Sequence, residues 1–447
     1  MEPWALVMFG VAVVLLLIGY PVAFTLGAVA MLFGTIFLGI EFFDLLPLRI
    51  WGIMTNFTLL AVPLFVFMGV LLEKSGLAED LLETMGMLFG RVRGGLAVAI
   101  VVVGALLAAT TGVVGATVVT MAVIALPSFL KHRYDPALAS GTIAAAGTLG
   151  QIIPPSIILI LLADVVGVPV GQLFMGAAVP GLMLVGAFIV YVLIIAWLRP
   201  AMAPPVDRTR IAGQDELKGA ATGLGPRVAK SLVPPLVLVI AVLGSIFFGI
   251  ASPTESAAVG ALGAMLLAAA HRRMTLANLR EAMRQTTRLT SMVFLILVGA
   301  TAFGLVFRGM GGDLLVEDVM AGLPGGEWTF LAVSMAVIFV LGFFLDFLEI
   351  CFIVVPILAP IADVMGINLL WFAVLVAMNL QTSFLTPPFG FSLFYLKAAA
   401  PEEIRIQHIY RGIVPFVALQ LIVLGLLLAY PGLTLWLPRI MDRLQGL

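Results

Sequence analysis

Long apolar runs separated by short polar connections set the pattern of this chain. Trp4 to Ile18, Val98 to Ala109, Leu232 to Ile250, Met292 to Phe307 and Ile413 to Tyr430 carry no Asp, Glu, Lys or Arg, as expected of segments whose solvent is lipid. Within each half, three spanning segments precede a broken apolar stretch too long for one helix, and two more follow it. The stretch from Gly95 to Leu130 is interrupted at Thr110-Thr111-Gly112, and its counterpart from Phe330 to Val364 at Asp346. Each reads as a helical hairpin. A hairpin that enters and leaves by one face gives each half five crossings, an odd number, so the second half is inverted.

The halves also match residue by residue at an offset of about 233 positions. Ile124-Ala125-Leu126-Pro127 pairs with Ile357-Leu358-Ala359-Pro360, and Pro154-Pro155 with Pro387-Pro388. Asp80-Leu81-Leu82 pairs with Asp313-Leu314-Leu315, and Ile18 to Pro21 with Ile250 to Pro253 after a one-residue slip. Any one match is explained by chance apolar similarity, but several at one offset are not. Between the halves, Arg199 to Ser231 carries Pro204, Pro205, Asp207, Arg208, Arg210, Glu216, Lys218, Arg227 and Lys230 and reads as a solvated linker. Two further segments are amphipathic and predict surface helices: Leu81, Leu82, Met85, Leu88 and Phe89 form one stripe, and Leu276, Leu279 and Met283 another, opposite Arg280, Arg284 and Arg288.

Charge fixes an orientation. With the amino terminus outside, all but four of the 23 Lys and Arg fall on the inner face, where cytoplasmic loops collect basic residues. The four exceptions are Arg49, Arg308, Arg439 and Arg443, and the outer face receives Glu41, Asp44, Asp313, Glu317, Asp318 and Glu327. Trp4 to Gly19 lacks the basic stretch and cleavage site of a secretory signal, so it reads as a retained span.

Composition excludes a soluble fold, since 62% of residues are hydrophobic and only 11% charged. The single cysteine, Cys351, allows no intramolecular disulfide, and the three histidines sit in polar connections. The chain contains no phosphate-binding Gly-rich loop, zinc-protease helix or nucleophile elbow, so an ATP-driven pump and an intramembrane enzyme are disfavoured. No cofactor is expected beyond a coupling ion, and no transition metal.

Inverted repeats with interrupted helices are the architecture of alternating-access carriers, because broken helices free carbonyls and helix ends near the midplane. Two breaks are predicted from the paired prolines, over Gly147 to Ser156 and over Asn379 to Gly390, since adjacent prolines remove two helical donors and clash with the preceding turn. The hydroxyls of Thr148 and Ser156 are hard oxygen ligands suited to an alkali cation. Asn379, Gln381, Thr382, Ser383 and Thr386 cannot all face lipid, so they line an interior surface or bond between helices. At the hairpin tips, Thr110, Thr111, Gly112 and Gly115 offer hydroxyls and turns, while Asp346 and Glu349 place two carboxylates at membrane depth. Arg308 either snorkels to the headgroups or pairs with a substrate carboxylate or Asp346.

Three of these stretches resemble the large membrane subunit, the DctM type, of the tripartite ATP-independent periplasmic (TRAP) transporters. They are Gly147-Thr148-Leu149-Gly150 to Pro154-Pro155-Ser156, Leu385-Thr386-Pro387-Pro388-Phe389-Gly390, and Gly249 to Glu255. The resemblance implies an all-α elevator-type carrier, coupled to sodium, in a bacterial inner membrane. It also implies two partners, a small four-helix membrane subunit and a periplasmic substrate-binding protein. One sodium site would involve Thr110, Thr111, Gly112 and the Gly147 to Gly150 break. A second would involve the Asp346 tip with Gln381 and Thr382 of the other break. Thr148, Ser156, Arg308, Asn379, Thr386 and Pro388 remain as candidates for holding the substrate.

Many members of that family carry serines at the first tip, where this chain has Thr110-Thr111-Gly112. Leu341 to Asp346 and Asn379 to Ser383 look closest to the branch that takes 2-oxo acids, lactate or related carboxylates. On this reading residues 94–166 and 328–400 form the transport domain. Residues 1–93, 167–198, 232–327 and 401–447 form the scaffold, and 199–231 the cytoplasmic linker. A stand-alone sodium/dicarboxylate symporter and a cation/proton antiporter are the competing readings.

Overall fold

The computed structural model describes residues 2–89, 92–111, 114–205, 216–322, 324–388 and 390–445, and every regular element among them is a helix. The first half opens with α1 (Glu2–Ile18) and α2 (Val22–Phe37). Then come α3 (Leu46–Met54) and α4 (Ala61–Lys74), a pair bent by 55°, and α5 (Leu77–Phe89). The first hairpin is α6 (Gly95–Thr111) with α7 (Val114–Lys131). One interrupted helix follows, α8 (Pro136–Thr148) with α9 (Ile157–Val166), and α10 (Val170–Leu198) closes the half.

The second half repeats the order. It runs through α11 (Glu216–Phe247), α12 (Pro253–Ala270), α13 (Leu276–Gly309) and α14 (Gly312–Ala321). The second hairpin joins α15 (Gly326–Leu341) to α16 (Phe347–Glu349), a π-helical turn at Ile350–Val354 and α17 (Val355–Val364). The second interrupted helix is α18 (Leu369–Leu385) with α19 (Phe391–Ala399), followed by α20 (Ile406–Ala429) and α21 (Gly432–Gln445). Among the described residues, six helices are long and apolar enough to cross a membrane, or seven with the bent pair counted as one span.

Local chemistry marks the helix starts. Asp135 accepts from the amides of Ala137 and Leu138 ahead of Pro136, and Asn368 accepts from Trp371. Ser252 and Glu255 form a reciprocal capping box at the head of α12. The interruptions fall at the paired prolines, whose Pro154–Pro155 and Pro387–Pro388 bonds are both cis.

Three elements depart from the sequence reading. The second break is narrower than Asn379 to Gly390: α18 stays helical through Leu385, because a proline at 387 disturbs only the turn and the residue just before it. The linker is shorter too, since α11 already begins at Glu216; residues 206–215 lie outside the described set. The stripe of Leu276, Leu279 and Met283 is not a separate surface helix. It runs straight into the span as the 34-residue α13, which holds no proline and no glycine before Gly299 and extends about 51 Å.

Packing sorts the helices into two bodies. In one, α2 lies on α13, α4 on α12 and α13, α1 on α2, and α11 on α12. In the other, α8 is surrounded by α6, α7, α18, α19 and α20, and α10 packs on α6, α18 and α20. The two halves interlock in this second body, for α7 rests on α8 of its own half and on α19 of the other, while α17 rests on α18 and on α9. The sequence grouping put residues 167–198 and 401–447 with the scaffold; in the structure α20 packs on α8 and α18, and α10 on α18 and α20.

Glycines set the closest approaches, as is usual where lipid offers no hydrophobic drive and helices must gain by contact. Gly141 of α8 and Gly412 of α20 meet backbone to backbone, so a Cβ on Gly412 would strike the carbonyl of Ala137. Gly425, farther along α20, has open space around it. Gly412→Leu is therefore expected to destabilise the folded protein by about 3 kcal/mol or more, as overpacking against rigid backbone does. Gly425→Leu should leave it unchanged. Detergent-solubilised melting curves and monodisperse yield check this, and equal behaviour of the two variants would remove the α8–α20 contact as a structural determinant.

Candidate functional site

Each hairpin tip and each interruption sets a helix C-terminus facing a helix N-terminus within the membrane body. α6 ends at Thr111 where α7 begins at Val114, and α15 ends at Leu341 before α16 begins at Phe347. α8 gives way through the 3-10 turn Leu149–Gln151 to α9 at Ile157, and α18 gives way at Leu385 to α19 at Phe391. The carbonyl ends attract cations and the amide ends attract anions, so the four junctions together supply partial charges of both signs.

The first interruption is wholly enclosed. Thr148, Gln151 and Ser156 are each 0% exposed, and the turn that holds Gln151 packs against α6 and α18. Thr148 Oγ1 donates to the carbonyl of Ala145 at 2.8 Å, and Ser156 Oγ to the carbonyl of Gln151 at 3.3 Å. Both hydroxyls thus spend their proton on the backbone and keep lone pairs for another partner. Gly147 abuts Val118 of α7, and a Cβ on Gly104 of α6 would sit 2.7 Å from that of Ala146, so hairpin 1 grips the end of α8 with no spare room. Gly150 is buried in the turn itself.

The second interruption follows the same logic inside a helix. Thr382 Oγ1 donates to Met378 at 2.8 Å, Ser383 Oγ to Leu380 at 2.9 Å, and Thr386 Oγ1 to Thr382 at 2.7 Å. Asn379 Nδ2 donates to the carbonyl of Met335 at 2.7 Å and ties α18 to the first arm of hairpin 2. Gly342, at the end of that arm, leaves no space for a side chain beside Ser383, which brings the second tip against the second interruption. Pro388 offers its carbonyl to the hydroxyl of Tyr410 at 3.1 Å.

At the second tip, Asp346 caps α16. Its Oδ1 accepts from the amide of Phe347 at 2.7 Å, and Glu349 Oε2 accepts from the amide of Asp346 at 3.0 Å. Glu349 therefore bonds within its own turn. At the first tip, Gly112 lies outside the described residues, as do the side chains of Thr110 and Thr111. Gly115, just beyond, would place a Cβ 3.1 Å from the ring of Tyr395 in α19.

Arg308 stands apart from this group. It is exposed near the end of α13 and, with Arg49 of α3, lines a cavity of about 490 Å³ between that body and α9 and hairpin 2. Asp164, Thr301, Phe352 and Ile353 share its wall.

The strongest chemical signal is one the sequence reading used only in part. Both amide atoms of Gln151, Gln381 and Gln420 are buried without a hydrogen-bond partner, as is the hydroxyl of Ser334. Each such atom costs about 1–3 kcal/mol unless something bonds it. Gln381 was among the candidates, but Gln151 and Gln420 were passed over. An uncharged amide inside an apolar run such as Val417-Ala418-Leu419-Gln420-Leu421 was the available cue.

Residues 9–433 match the family model described as "Tripartite ATP-independent periplasmic transporter, DctM component". The C4-dicarboxylate TRAP transporter large permease protein DctM of Pseudomonas aeruginosa is 30% identical over 88% of this chain and 89% of its own length. The sialic acid TRAP transporter large permease protein SiaM of Vibrio cholerae is 29% identical over 95% and 96%. The isethionate TRAP transporter permease protein DctMQ of Oleidesulfovibrio alaskensis is 27% identical over 96% of this chain and 66% of its own length. Among solved structures, the Alcanivorax borkumensis YdaH transporter superposes with a TM-score of 0.64 at 15% identity, covering 94% of this chain and 98% of its own. That likeness shows the fold. With the family model spanning nearly all of its length, this multi-pass membrane chain belongs to the DctM family, the large permease component of the TRAP transporters.

Proposed function

We propose that the protein is the permease of a sodium-coupled, binding-protein-dependent importer of a small organic acid, a 2-oxo acid, lactate or a similar carboxylate. The observation that carries this reading is the pair of fully buried, unpartnered amides, Gln151 in the first interruption and Gln381 in α18 about one turn before the second, close to where helix ends of both polarities meet. A cation and an organic anion are the partners such a site lacks. The relatives' cargoes, a C4-dicarboxylate, sialic acid and isethionate, are all organic anions, which supports the class.

In this reading one sodium ion is held by Thr110, Thr111 and Gly112 of the first tip with the carbonyls of Gly147 to Gly150. The second is held by Asp346, Gln381 and Thr382. The acid is bound by Gln151, Thr148, Ser156, Asn379, Thr386 and the backbone at Pro388. Arg308, on the far side of the 490 Å³ cavity, is left out of that site.

The body built on α8 and α18 slides against the body built on α4 and α13, carrying ions and acid together. Packing supports α10 and α20 travelling with the former. A small membrane subunit braces the latter, and a periplasmic binding protein delivers the acid. Localisation follows as the inner membrane with the amino terminus periplasmic, in keeping with the distribution of Lys and Arg.

Proteoliposomes holding this chain with its small subunit, supplied with loaded binding protein, are expected to accumulate acid under an inward sodium gradient and not under a proton gradient alone. Equal uptake without sodium would sink the coupling, and full uptake without binding protein would favour a stand-alone symporter. Asp346→Asn and Thr382→Ala should each raise the sodium concentration for half-maximal uptake about fivefold, near the 1 kcal/mol value of one ligand interaction. Sodium titrations that superpose on the parent curve would remove both from the ion sites.

Gln151→Leu separates function from structure, because replacing an unsatisfied buried amide by an apolar group is neutral or stabilising. Its melting temperature should hold or rise while the KM for the acid rises about five- to tenfold. An unchanged KM would strike Gln151 from the binding site.

A further inference from the structure

Apolar surfaces slide past one another with little directional penalty, whereas a polar side-chain bond between the two bodies resists such motion. Among the described residues two such bonds join them: Thr120 Oγ1 of α7 donates to Glu73 Oε1 of α4 at a long 3.4 Å, and the second is much shorter. Asn56 Nδ2 donates to Asp164 Oδ1 at 2.6 Å, joining the α3–α4 connection to α9. Asn56 is held firmly on its own side, since its Oδ1 accepts from the amide of Thr58 at 3.0 Å. The adjoining backbone is pinned in turn by Thr254 of α12, whose hydroxyl donates to the carbonyl of Phe57 at 3.0 Å. Asp164 is held on the other side, because α9 packs on α10, α17 and α18.

Both partners are half-buried, and Asp164 lines the 490 Å³ cavity together with Ile53, which comes from the other body. A short, part-buried bond between a neutral amide and an acid side chain is among the stronger polar contacts a protein makes. It also cannot stretch. Displacing α9 by even one helical turn would break it, and the neighbouring void offers the room for such a displacement.

We infer that Asn56 and Asp164 form a polar latch that holds the carrier body against the scaffold in this conformation and must open in each transport cycle. Both are positioning residues, acting on the bound ions and acid only through the placement of α9. The inference rests on the sliding proposed above and adds to it the contact that selects one end state.

The complete three-component system, reconstituted in proteoliposomes, tests this with Asn56→Cys/Asp164→Cys, Cys351 being buried away from reagents. Copper phenanthroline should join the pair and stop sodium-driven uptake, and dithiothreitol should restore it. Uptake by the unjoined protein reports separately on whether the sodium-coupled reading holds. Failure of the pair to join would overturn the contact while leaving that reading intact. Joined protein that still transports at the unjoined rate would overturn both the latch and the sliding of α9.

A second measurement separates a latch from a merely structural bond. Ile53→Cys/Val165→Cys, across the same cavity, is bridged with a short bifunctional thiol reagent. Adding Asp164→Ala should slow bridging about tenfold by depopulating the latched state, whereas Asp164→Asn, which keeps the acceptor oxygen, should not. Equal bridging rates in the two backgrounds would overturn the proposal.

Discussion

Everything in this fold follows from the demand that a peptide group in hydrocarbon find a hydrogen-bond partner inside the protein. An uninterrupted helix meets that demand alone. An interrupted one leaves amides and carbonyls exposed at each broken end, and it survives only where other helices wall it off from lipid. That is why α8 and α18, which lead into the proline doublets, are so enclosed, with α18 buried along nearly its whole length. Burial of the interruptions then dictates the rest, from the hairpins that close over them to the glycines that let backbones meet.

The hydroxyls around the interruptions show how that constraint becomes chemistry. Thr148, Thr382, Ser383 and Thr386 each give their proton to a backbone carbonyl three or four positions back, and Ser156 gives its own to the carbonyl of Gln151, which Pro155 has no amide to bond. The same geometry turns oxygen lone pairs outward, and a lone pair that faces neither lipid nor a donor is an invitation to a cation. Structural repair and ligand presentation are thus one arrangement. The amides of Gln151 and Gln381 go a step further, because the fold leaves them wholly unsatisfied.

Much of the architecture was legible in the chain because prolines and charges have direct mechanical meanings in a membrane. Pro154-Pro155 and Pro387-Pro388 located the interruptions, Asp346 located a tip, and the offset between halves revealed the duplication. Boundaries inside helices were harder. Nothing in Asn379 to Ser383 announces that these polar residues stay helical, since their hydroxyls bond to carbonyls four or three positions back, a pattern invisible without coordinates. The packing of α20 on α8 and of α10 on α18 was also hidden, because an apolar span looks alike whichever helix it lies against. Gln420 was missed for the opposite reason, being a single polar letter in a run that otherwise fits lipid. The bond between Asn56 and Asp164 joins residues far apart in the chain and has no local signature.

The crossing of α7 onto α19 and of α17 onto α9 has a consequence for how such a molecule could have arisen. Neither half can enclose its own interruption, so a polypeptide of half this length would have no stable monomer. An unfused precursor would have needed two copies inserted in opposite directions, each lending the other the walls it lacked. Joining them through residues 199–231 makes that antiparallel partnership obligatory and frees each copy to diverge. One tip has kept hydroxyls and the other has taken on carboxylates, a specialisation that two identical chains could never express.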